Sequence, residues 1–389
     1  MALPRVPLVA TVLPPGEGFG PGRTGAIGLL VQRFARVLPG LVIGGPQTGP
    51  VFADIPFRPA LPAWWGLGNI NTRYAVAVAR ILREVRPTMV EVYNRPEVAL
   101  ALLRRFPRIP IVLFLQNDPQ TMRGAQTPKQ RRALLARLGA VVTASGFLTR
   151  RFLDGVSNPP KQPVMIPNSI DFSALPETDE RADLILFSGR VVPEKGVDGF
   201  VAACARALPQ LPGWTAEIIG ADRFRADAPD TPFVRRVRIA ALAAGVRMLG
   251  YRDHPEVLAA LSRASIAVVP SRWEEPFGLA ALEAMACGTA LVCSGRGGLP
   301  EVAGDAAMYV DPDDPAGFAK ALVTLATDAE RREALAEAGR VRARRFGLQG
   351  AAHQLAAVRA QLMGAGGLAT GATPYPGQRA ARQPSRERG

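Results

Sequence analysis

The sequence predicts an α/β protein of two domains, each built on a doubly wound parallel sheet. Its 389 residues are more than one ordinary core requires and fit two domains with a tail. In both halves of the chain, short and nearly all-apolar runs alternate with amphipathic stretches of helical length, a pattern typical of parallel strands covered on both faces. We place the domains at 1–172 and 173–345. A disordered tail is predicted at 364–389, where Gly, Pro and Arg dominate.

The first half contains one series of alternating strands and helices. The predicted strands are Pro7–Leu13, Thr88–Val92, Ile111–Leu115, Ala140–Ala144 and Val164–Ile166. The predicted helices are Ala26–Leu38, Thr72–Glu84, Pro96–Arg105 and Pro128–Leu138. A loop rich in Gly and Pro, 14–28, follows the first strand. The segment 167–175 lacks clear periodicity and is predicted to be a hinge.

The second half repeats this alternation and closes with two further helices. The predicted strands are Leu184–Ser188, Thr215–Ile219, Val246–Leu249, Ile266–Pro270, Ala290–Cys293 and Ala307–Val310. The predicted helices are Val197–Ala207, Phe233–Ala244, Pro255–Ala264, Gly278–Ala286, Pro315–Ala326, Ala329–Arg345 and Leu348–Met363. We expect ligands beyond the carboxyl ends of the strands, as in other open parallel sheets.

The rarer residue types exclude several classes of site. Three cysteines without CxxC spacing favour buried free thiols over disulfides or zinc ligands. Two histidines leave little material for a Ser-His-Asp triad. The first apolar run is short and broken by Pro7, which argues against a secretory signal, and no run approaches the length of a membrane span. We therefore expect a cytoplasmic protein, soluble or peripheral on the inner face of the membrane.

Positive charge is concentrated in the first domain. Residues 1–172 hold 21 Lys and Arg against 8 Asp and Glu, whereas residues 173–345 hold 21 against 24. This asymmetry predicts an anionic partner for the first domain, and an anionic membrane surface fits best. The basic stretch 129–132 with Leu134, Leu135 and Leu138 is one candidate face. A solvated basic helix that packs these leucines inward is an equally good interpretation.

The segment 188–196, SGRVVPEKG, runs from the end of a strand into a helix. Gly189 permits a sharp turn there, and Arg190 and Lys195 bring two cations to the place where a diphosphate would lie. A guanidinium and an ammonium are a common pair for phosphate oxygens. An ordinary solvated loop with unrelated charges explains the segment equally well when it is considered alone.

The segment 270–288, PSRWEEPFGLAALEAMACG, predicts a helix with an anion site at its start. Gly288 supplies the helix end. The first amides of this helix, those of Phe277, Gly278 and Leu279, lie at the positive end of the helix dipole. They are therefore suited to bind a phosphate or sugar oxygen.

Two glutamates flank this helix start at a useful spacing. Glu275 precedes the helix and Glu283 lies eight positions later, a rise of about 12 Å, which matches the span from a hexose to the ribose of its nucleotide. Glu283 also lies among small and apolar residues where a solvated face is scarce. An amphipathic helix whose Glu283 faces water is the alternative.

Three further segments resemble ligand-binding motifs. The glycine-rich turn after the fifth strand of the second domain brings the amides of Gly297 and Gly298 to a possible phosphate. Tyr251 follows a strand at a position suited to a nucleobase. The sequence 311–314, DPDD, resembles a metal motif, but Asp314 before Pro315 is better interpreted as a helix cap, and we expect no metal.

In this order, these motifs resemble the family 4 retaining glycosyltransferases, which have the GT-B architecture of two Rossmann-like domains facing across a cleft. The resemblance covers nearly all of 184–330. It implies Arg190, Lys195 and Glu275 as catalytic residues, with both cations on the donor diphosphate. It further implies donor contacts from Gly16, Gly18, Gly189, Tyr251, Phe277, Gly278, Leu279, Glu283, Gly297 and Gly298.

The first domain resembles a bacterial subset linked to polysaccharide and spore-coat glycosylation. The resemblance rests on Tyr93–Pro96 and Asn117–Pro119, and it makes Gln116, Asn117 and Asp118 the acceptor-side candidates. Many family members have histidine where this chain has Gln116. The family also implies that a last helix, 346–363, returns to the first domain.

The implied activity is transfer of a hexose from a nucleoside diphosphate to an acceptor hydroxyl, with UDP-hexose as the first donor to test and no cofactor or metal. The acceptor is expected to be a saccharide or lipid-linked. A GT-B epimerase and a catalytically inactive sugar-nucleotide-binding relative remain alternatives. No nucleic-acid module is recognisable, and no strand–GxGxxG–helix unit supports a dehydrogenase.

Overall fold

Two parallel sheets, one in each half of the chain, organise the computed structural model, which describes residues 8–62, 68–177, 180–222 and 230–364. The disordered tail predicted at 364–389 lies outside the described residues, apart from Gly364. The elements of the first domain are β1 (Val9–Val12), α1 (Ala26–Val37), β2 (Leu41–Gly44), β3 (Phe57–Pro59), α2 (Ile70–Val85), β4 (Met89–Tyr93), α3 (Pro96–Arg105), β5 (Ile111–Leu115), α4 (Pro128–Arg137), β6 (Ala140–Thr143), α5 (Gly146–Leu153) and β7 (Val164–Met165).

The second domain continues the alternation, and a final helix follows it. Its elements are β8 (Ala182–Ser188), α6 (Val197–Ala207), β9 (Thr215–Ile219), α7 (Pro232–Ala243), β10 (Val246–Gly250), α8 (His254–Arg263), β11 (Ala264–Val269), α9 (Leu279–Ala286), β12 (Ala290–Cys293), α10 (Leu299–Ala303), β13 (Met308–Tyr309), α11 (Pro315–Thr327), α12 (Ala329–Ala343) and α13 (Leu348–Leu362).

The strand orders place a topological switch point in each domain. The first sheet has the order β3-β2-β1-β4-β5-β6-β7 and the second β10-β9-β8-β11-β12-β13, with parallel pairing throughout. The order reverses between β1 and β4 and again between β8 and β11. Ligands of such sheets bind beyond the carboxyl ends of the strands at these reversals, which is where the segments 188–196 and 270–288 begin.

The central strands of both sheets are buried, as their apolar sequences predict. All five residues of β5 are fully inaccessible or nearly so, and the central residues of β8 are equally buried. The three cysteines are free and buried within the second domain, as predicted. Four elements were not predicted: β2, β3, α5 and α10.

The last helix, α13, packs against the first domain. Leu348, Ala351, Ala352 and Leu355 belong to the same hydrophobic cluster as residues of β1, α1 and β4. A buried ion pair fixes the helix further along: Arg359 Nε and Nη2 donate to the two carboxylate oxygens of Glu91 at 2.8 and 2.9 Å. The chain thus crosses back to its first domain after the second is complete.

The structure decides between the two interpretations of α4 in favour of the basic helix that packs its leucines inward. Leu134, Leu135 and Leu138 are fully buried, so they pack inward. Arg131 is also buried and donates four hydrogen bonds to backbone carbonyls of neighbouring segments. The helix therefore exposes basic side chains without the apolar stripe that would insert into lipid.

Candidate active site

The loops that follow β8, β11 and β12 form one continuous surface. The carbonyl oxygen of Glu194 accepts hydrogen bonds from the amides of Arg272 and Trp273, both at 3.0 Å, which joins the first two loops. The Ser294 hydroxyl donates to the carbonyl of Ser271 at 2.6 Å and joins the second loop to the third. Three motif segments that are distant in sequence therefore meet at the switch point of the second sheet.

Two glycines permit this close approach of backbones. A Cβ atom on Gly297 would lie 2.3 Å from the carbonyl oxygen of Glu275, and Gly297 has a φ of +62°. A Cβ atom on Gly196 would lie 1.9 Å from the carbonyl oxygen of Pro270. Both distances are shorter than any tolerated contact, so a side chain at either position would force the loops apart.

Lys195 and Glu275 are in direct contact. The Lys195 Nζ donates to Glu275 Oε1 at 2.5 Å, and the Ser271 hydroxyl donates to the same oxygen at 2.7 Å. Glu275 is buried, whereas about a quarter of the Lys195 side chain is accessible. Because an ammonium has three donors, Lys195 retains hydrogen-bonding capacity toward a ligand. Arg190 is exposed at the same loop, and none of the described residues bonds its guanidinium.

The start of α9 has the features of an anion site. The helix begins at Leu279 after Gly278, which has a φ of +105° and where a Cβ would meet the Leu299 side chain at 2.6 Å. In the described part of the chain, nothing accepts a hydrogen bond from the amides of Phe277, Gly278 and Leu279. Free amides at a helix N-terminus favour a negatively charged ligand.

The Gly297 amide already holds an anionic oxygen in this structure. The Glu274 carboxylate accepts a hydrogen bond from it at 2.7 Å. The Gly298 amide instead donates to the carbonyl of Glu275 at 2.6 Å. The predicted phosphate contact at Gly297 thus requires a ligand oxygen to replace the Glu274 carboxylate, and the Gly298 amide is committed to the loop itself.

Glu283 lies at the interface of the two domains rather than facing water. Its Oε1 is 2.8 Å from His254 Nε2 and 3.2 Å from Arg33 Nη2, and both Glu283 and Arg33 are buried. Burial alone would raise the pKa of Glu283, but the hydrogen bond and charge of His254 and the charge of Arg33 outweigh it and hold the pKa below its usual value. Glu283 is therefore an ionised carboxylate.

The loop between β1 and α1 reaches the second domain beside His254. A Cβ on Gly22 would lie 3.2 Å from the Asp253 carboxylate. The backbone of Arg23 passes close to Gly18 inside this loop. A Cβ on Gly18 would lie 1.7 Å from the carbonyl oxygen of Arg23, so only glycine fits at this position. Gly16, by contrast, has open space around it.

The remaining donor-side candidates lie at the same strand ends. Tyr251 directly follows β10 and is half-buried; burial and the neighbouring Asp253 and Glu256 raise its pKa. Gly189 follows β8, and Gly220 follows β9. A Cβ on Gly220 would lie 1.8 Å from the carbonyl oxygen of Gly189, so the ends of β8 and β9 are in backbone contact.

The acceptor-side candidates follow β5 in the first domain. The backbone amide of Gln116 donates to the side-chain oxygen of Asn94 at 2.6 Å, and this bond joins the end of β5 to the end of β4. Asn117 is exposed. Asp118 accepts two hydrogen bonds from Arg151, at 2.9 and 2.7 Å, and also caps the short turn that follows it. Asp118 thus has a structural role, whereas the side-chain amide of Gln116 bonds none of the described residues.

The acidic residues of segment 311–314 make structural contacts. Asp314 accepts hydrogen bonds from the amides of Ala316 and Gly317 and caps α11, as predicted. Asp313 pairs with Arg272 at 2.7 Å, and Arg272 also contacts Asp198 at 2.7 Å. The acidic side chains of this segment therefore cap a helix and hold the loop after β11.

Several residues at the domain interface were not predicted. These are Arg33 and His254 at Glu283, and Ser145 and Arg150 of the α5 region. The Ser145 hydroxyl donates to the carbonyl of Pro276 at 2.5 Å, and Arg150 contacts Glu301 at 2.7 Å. One signal existed for Arg33: the helical period places it on the same face of α1 as Leu30 and Phe34, which are buried.

Sequence comparison identifies the second domain. Residues 171–342 match the family described as "Glycosyl transferases group 1". The chain carries a group 1 glycosyltransferase domain. Glycogen synthase from Mycobacterium tuberculosis is 38% identical over 184 residues, which make up 46% of this chain and 43% of that protein. The aligned region therefore spans less than half the length of that relative.

Solved structures with the same fold extend over both domains. Sucrose-phosphate synthase from Thermosynechococcus elongatus matches with a TM-score of 0.76 at 20% identity, covering 92% of this chain and 100% of that one. HepE from Anabaena, in complex with UDP and glucose, matches with a TM-score of 0.72 at 17% identity, covering 90% and 99%. The two-domain GT-B prediction is confirmed. None of the helices in the described part of the chain combines the length and apolar character needed to cross a membrane.

Proposed function

We propose that the protein transfers a hexose from a nucleoside-diphosphate sugar to an acceptor hydroxyl, with retention of the anomeric configuration. The observation that carries this proposal is the contact of Lys195 with Glu275 at 2.5 Å. It unites a cation suited to a diphosphate with a carboxylate suited to sugar hydroxyls, beside the free amides of α9. The group 1 domain and the UDP and glucose bound by HepE support the same donor class.

The main catalytic contribution in this proposal is stabilisation of the leaving group, the nucleoside diphosphate. As the bond between sugar and diphosphate breaks, negative charge grows on the phosphate oxygens. In this proposal, Arg190, Lys195 and the first amides of α9 stabilise that charge, and such preorganised electrostatics is usually the largest catalytic contribution. The departing phosphate accepts the acceptor's proton, so the proposal requires no protein nucleophile and no metal.

The donor class can be tested by thermal shift against UDP-, GDP- and ADP-hexoses. A donor at 100 times its Kd stabilises the native protein by about 2.7 kcal/mol, and this corresponds to an increase of about 5 °C or more in Tm. We expect one nucleotide series to stabilise the protein, with UDP-hexose tested first, and the free hexoses to have no effect. Absence of a shift with all three series at millimolar concentration would contradict the proposal.

The same donor then separates transfer from epimerisation. A transferase releases nucleoside diphosphate in proportion to glycosylated acceptor, whereas an epimerase converts the sugar without any acceptor. Release of the diphosphate that rises with added saccharide or lipid-linked acceptors supports transfer. Isomerised sugar in the absence of acceptor would favour the epimerase.

We propose that contact with the inner face of the membrane, where a lipid-linked acceptor would reside, depends on charge alone. The balance of +13 over residues 1–172 supports this, while the buried leucines of α4 provide no apolar anchor. We expect flotation with anionic vesicles at low salt and release near 0.5 M salt, where the Debye length falls to about 4 Å. Zwitterionic vesicles are the control. Failure to float at low salt would exclude the contact.

A further inference from the structure

We propose that Arg33 of the first domain, together with His254, positions Glu283 to bind the ribose hydroxyls of the donor nucleotide. Ribose recognition is then completed across the domain interface rather than within the second domain alone. Arg33 and His254 act through Glu283 and are positioning residues. The inference rests on the proposed function, since it requires a nucleotide in the cleft.

The hydrogen bonds at Glu283 have a single consistent assignment. Because Glu283 is ionised, it can only accept, so the 2.8 Å contact with His254 requires a proton on Nε2. A protonated Nε2 cannot accept from Arg33, which lies 3.2 Å away, so Arg33 Nη2 donates to Glu283 Oε1 instead. One carboxylate oxygen thus receives two donors.

The other oxygen of Glu283 remains available. None of the described residues donates to Oε2, and it is not among the buried side-chain atoms that lack a partner, so it borders accessible space. A carboxylate fixed through one oxygen presents the second in a defined direction. This geometry is suited to a hydroxyl of a ribose ring.

Arg33 connects three parts of the chain. It belongs to α1, its Nη1 donates to the carbonyl of Ser169 in the crossover between domains at 2.6 Å, and its Nη2 reaches Glu283 on α9. Ser169 and Arg33 are both buried. The orientation of Glu283 therefore depends on the relative position of the two domains, so domain movement alters ribose binding.

The test is the preference for ribose over deoxyribose, measured by titration calorimetry. UDP, GDP and ADP are compared with their 2′-deoxy and 3′-deoxy analogues, using the nucleotide that binds. In the wild type, loss of a hydroxyl bonded to a charged group should weaken binding about 10- to 100-fold. In Arg33→Met that penalty should fall below about 3-fold, because Glu283 is no longer held in place.

Paired variants keep the test informative if Arg33→Met does not fold. His254 is partly exposed, so His254→Leu is expected to fold, and it should also lose the preference. His254→Gln retains a donor near the Nε2 position and should preserve most of it. Arg36→Met is the matched control, because Arg36 lies on the same helix but pairs with Asp54 at the surface.

The outcomes separate the two proposals. If no nucleotide binds the wild type, the proposed function and the inference both fail. If the nucleotide binds but folded Arg33→Met and His254→Leu retain the wild-type preference, the inference alone is overturned. The same holds if the wild type does not distinguish ribose from deoxyribose.

Discussion

Replacing Lys195 with alanine is expected to reduce kcat about 100- to 1000-fold, the effect of losing one preorganised charge at a developing anion. Lys195 contacts Glu275 at 2.5 Å and lies at the same surface as the free amides of α9. The loss should appear mainly in kcat, because charge on the diphosphate is larger in the transition state than in the bound donor. Release of nucleoside diphosphate measures it.

Two comparisons separate this effect from a change in folding. Lys195→Ala leaves the buried Glu275 without its cation, so the Tm of each variant must be measured alongside activity. Lys195→Arg retains the charge and should recover part of kcat. Lys320→Ala removes an exposed lysine on α11 and should behave as the wild type. A folded Lys195→Ala variant with full activity would remove Lys195 from the mechanism.

Replacing Arg359 with alanine is expected to destabilise the protein by about 3–5 kcal/mol, the usual effect of breaking a buried ion pair. Arg359 makes two hydrogen bonds to Glu91, which is almost inaccessible and is also bonded by Thr11. Burial alone would lower the pKa of Arg359, but the charge and hydrogen bonds of Glu91 raise it. Without the guanidinium, both oxygens of the buried Glu91 carboxylate lose the donors that Arg359 supplies in the core of the first domain.

Thermal and urea unfolding measure this effect. The first transition should shift downward by about 6 °C or more, and α13 should become more accessible to protease. Arg58→Ala is the matched control, because its pair with Glu84 is exposed and should contribute less than about 1 kcal/mol. The double replacement Glu91→Met and Arg359→Met should recover much of the stability. Equal stability of Arg359→Ala and the wild type would contradict this role for the pair.

The elements that sequence predicted best are those in which local pattern and tertiary environment agree. The all-apolar strand β5, the apolar centre of β8 and the capped helix α11 were predicted for this reason. By contrast, β2 is a four-residue run beside glycines, and β3 has three residues including a proline. Both are defined by pairing with neighbours, which a short local pattern does not reveal.

The residues of the candidate site also fall into those that the sequence predicted and those that it did not. Segments 188–196 and 270–288 follow adjacent strands, so the topology of a parallel sheet predicted that they would meet. Arg33 and Glu283 are separated by 250 positions and lie in different domains, so no spacing connects them. The leucines of α4 fit two interpretations in the sequence, and only their burial decides between them.

The most direct test is a crystal structure of the protein with the nucleotide diphosphate that stabilises it most. We expect the diphosphate to lie between Lys195, Arg190 and the first amides of α9, with the ribose at Glu283 Oε2. We also expect the contact between Arg33 and Glu283 to persist. A nucleotide bound elsewhere, or one whose phosphates avoid Lys195 and α9, would contradict the proposed donor site.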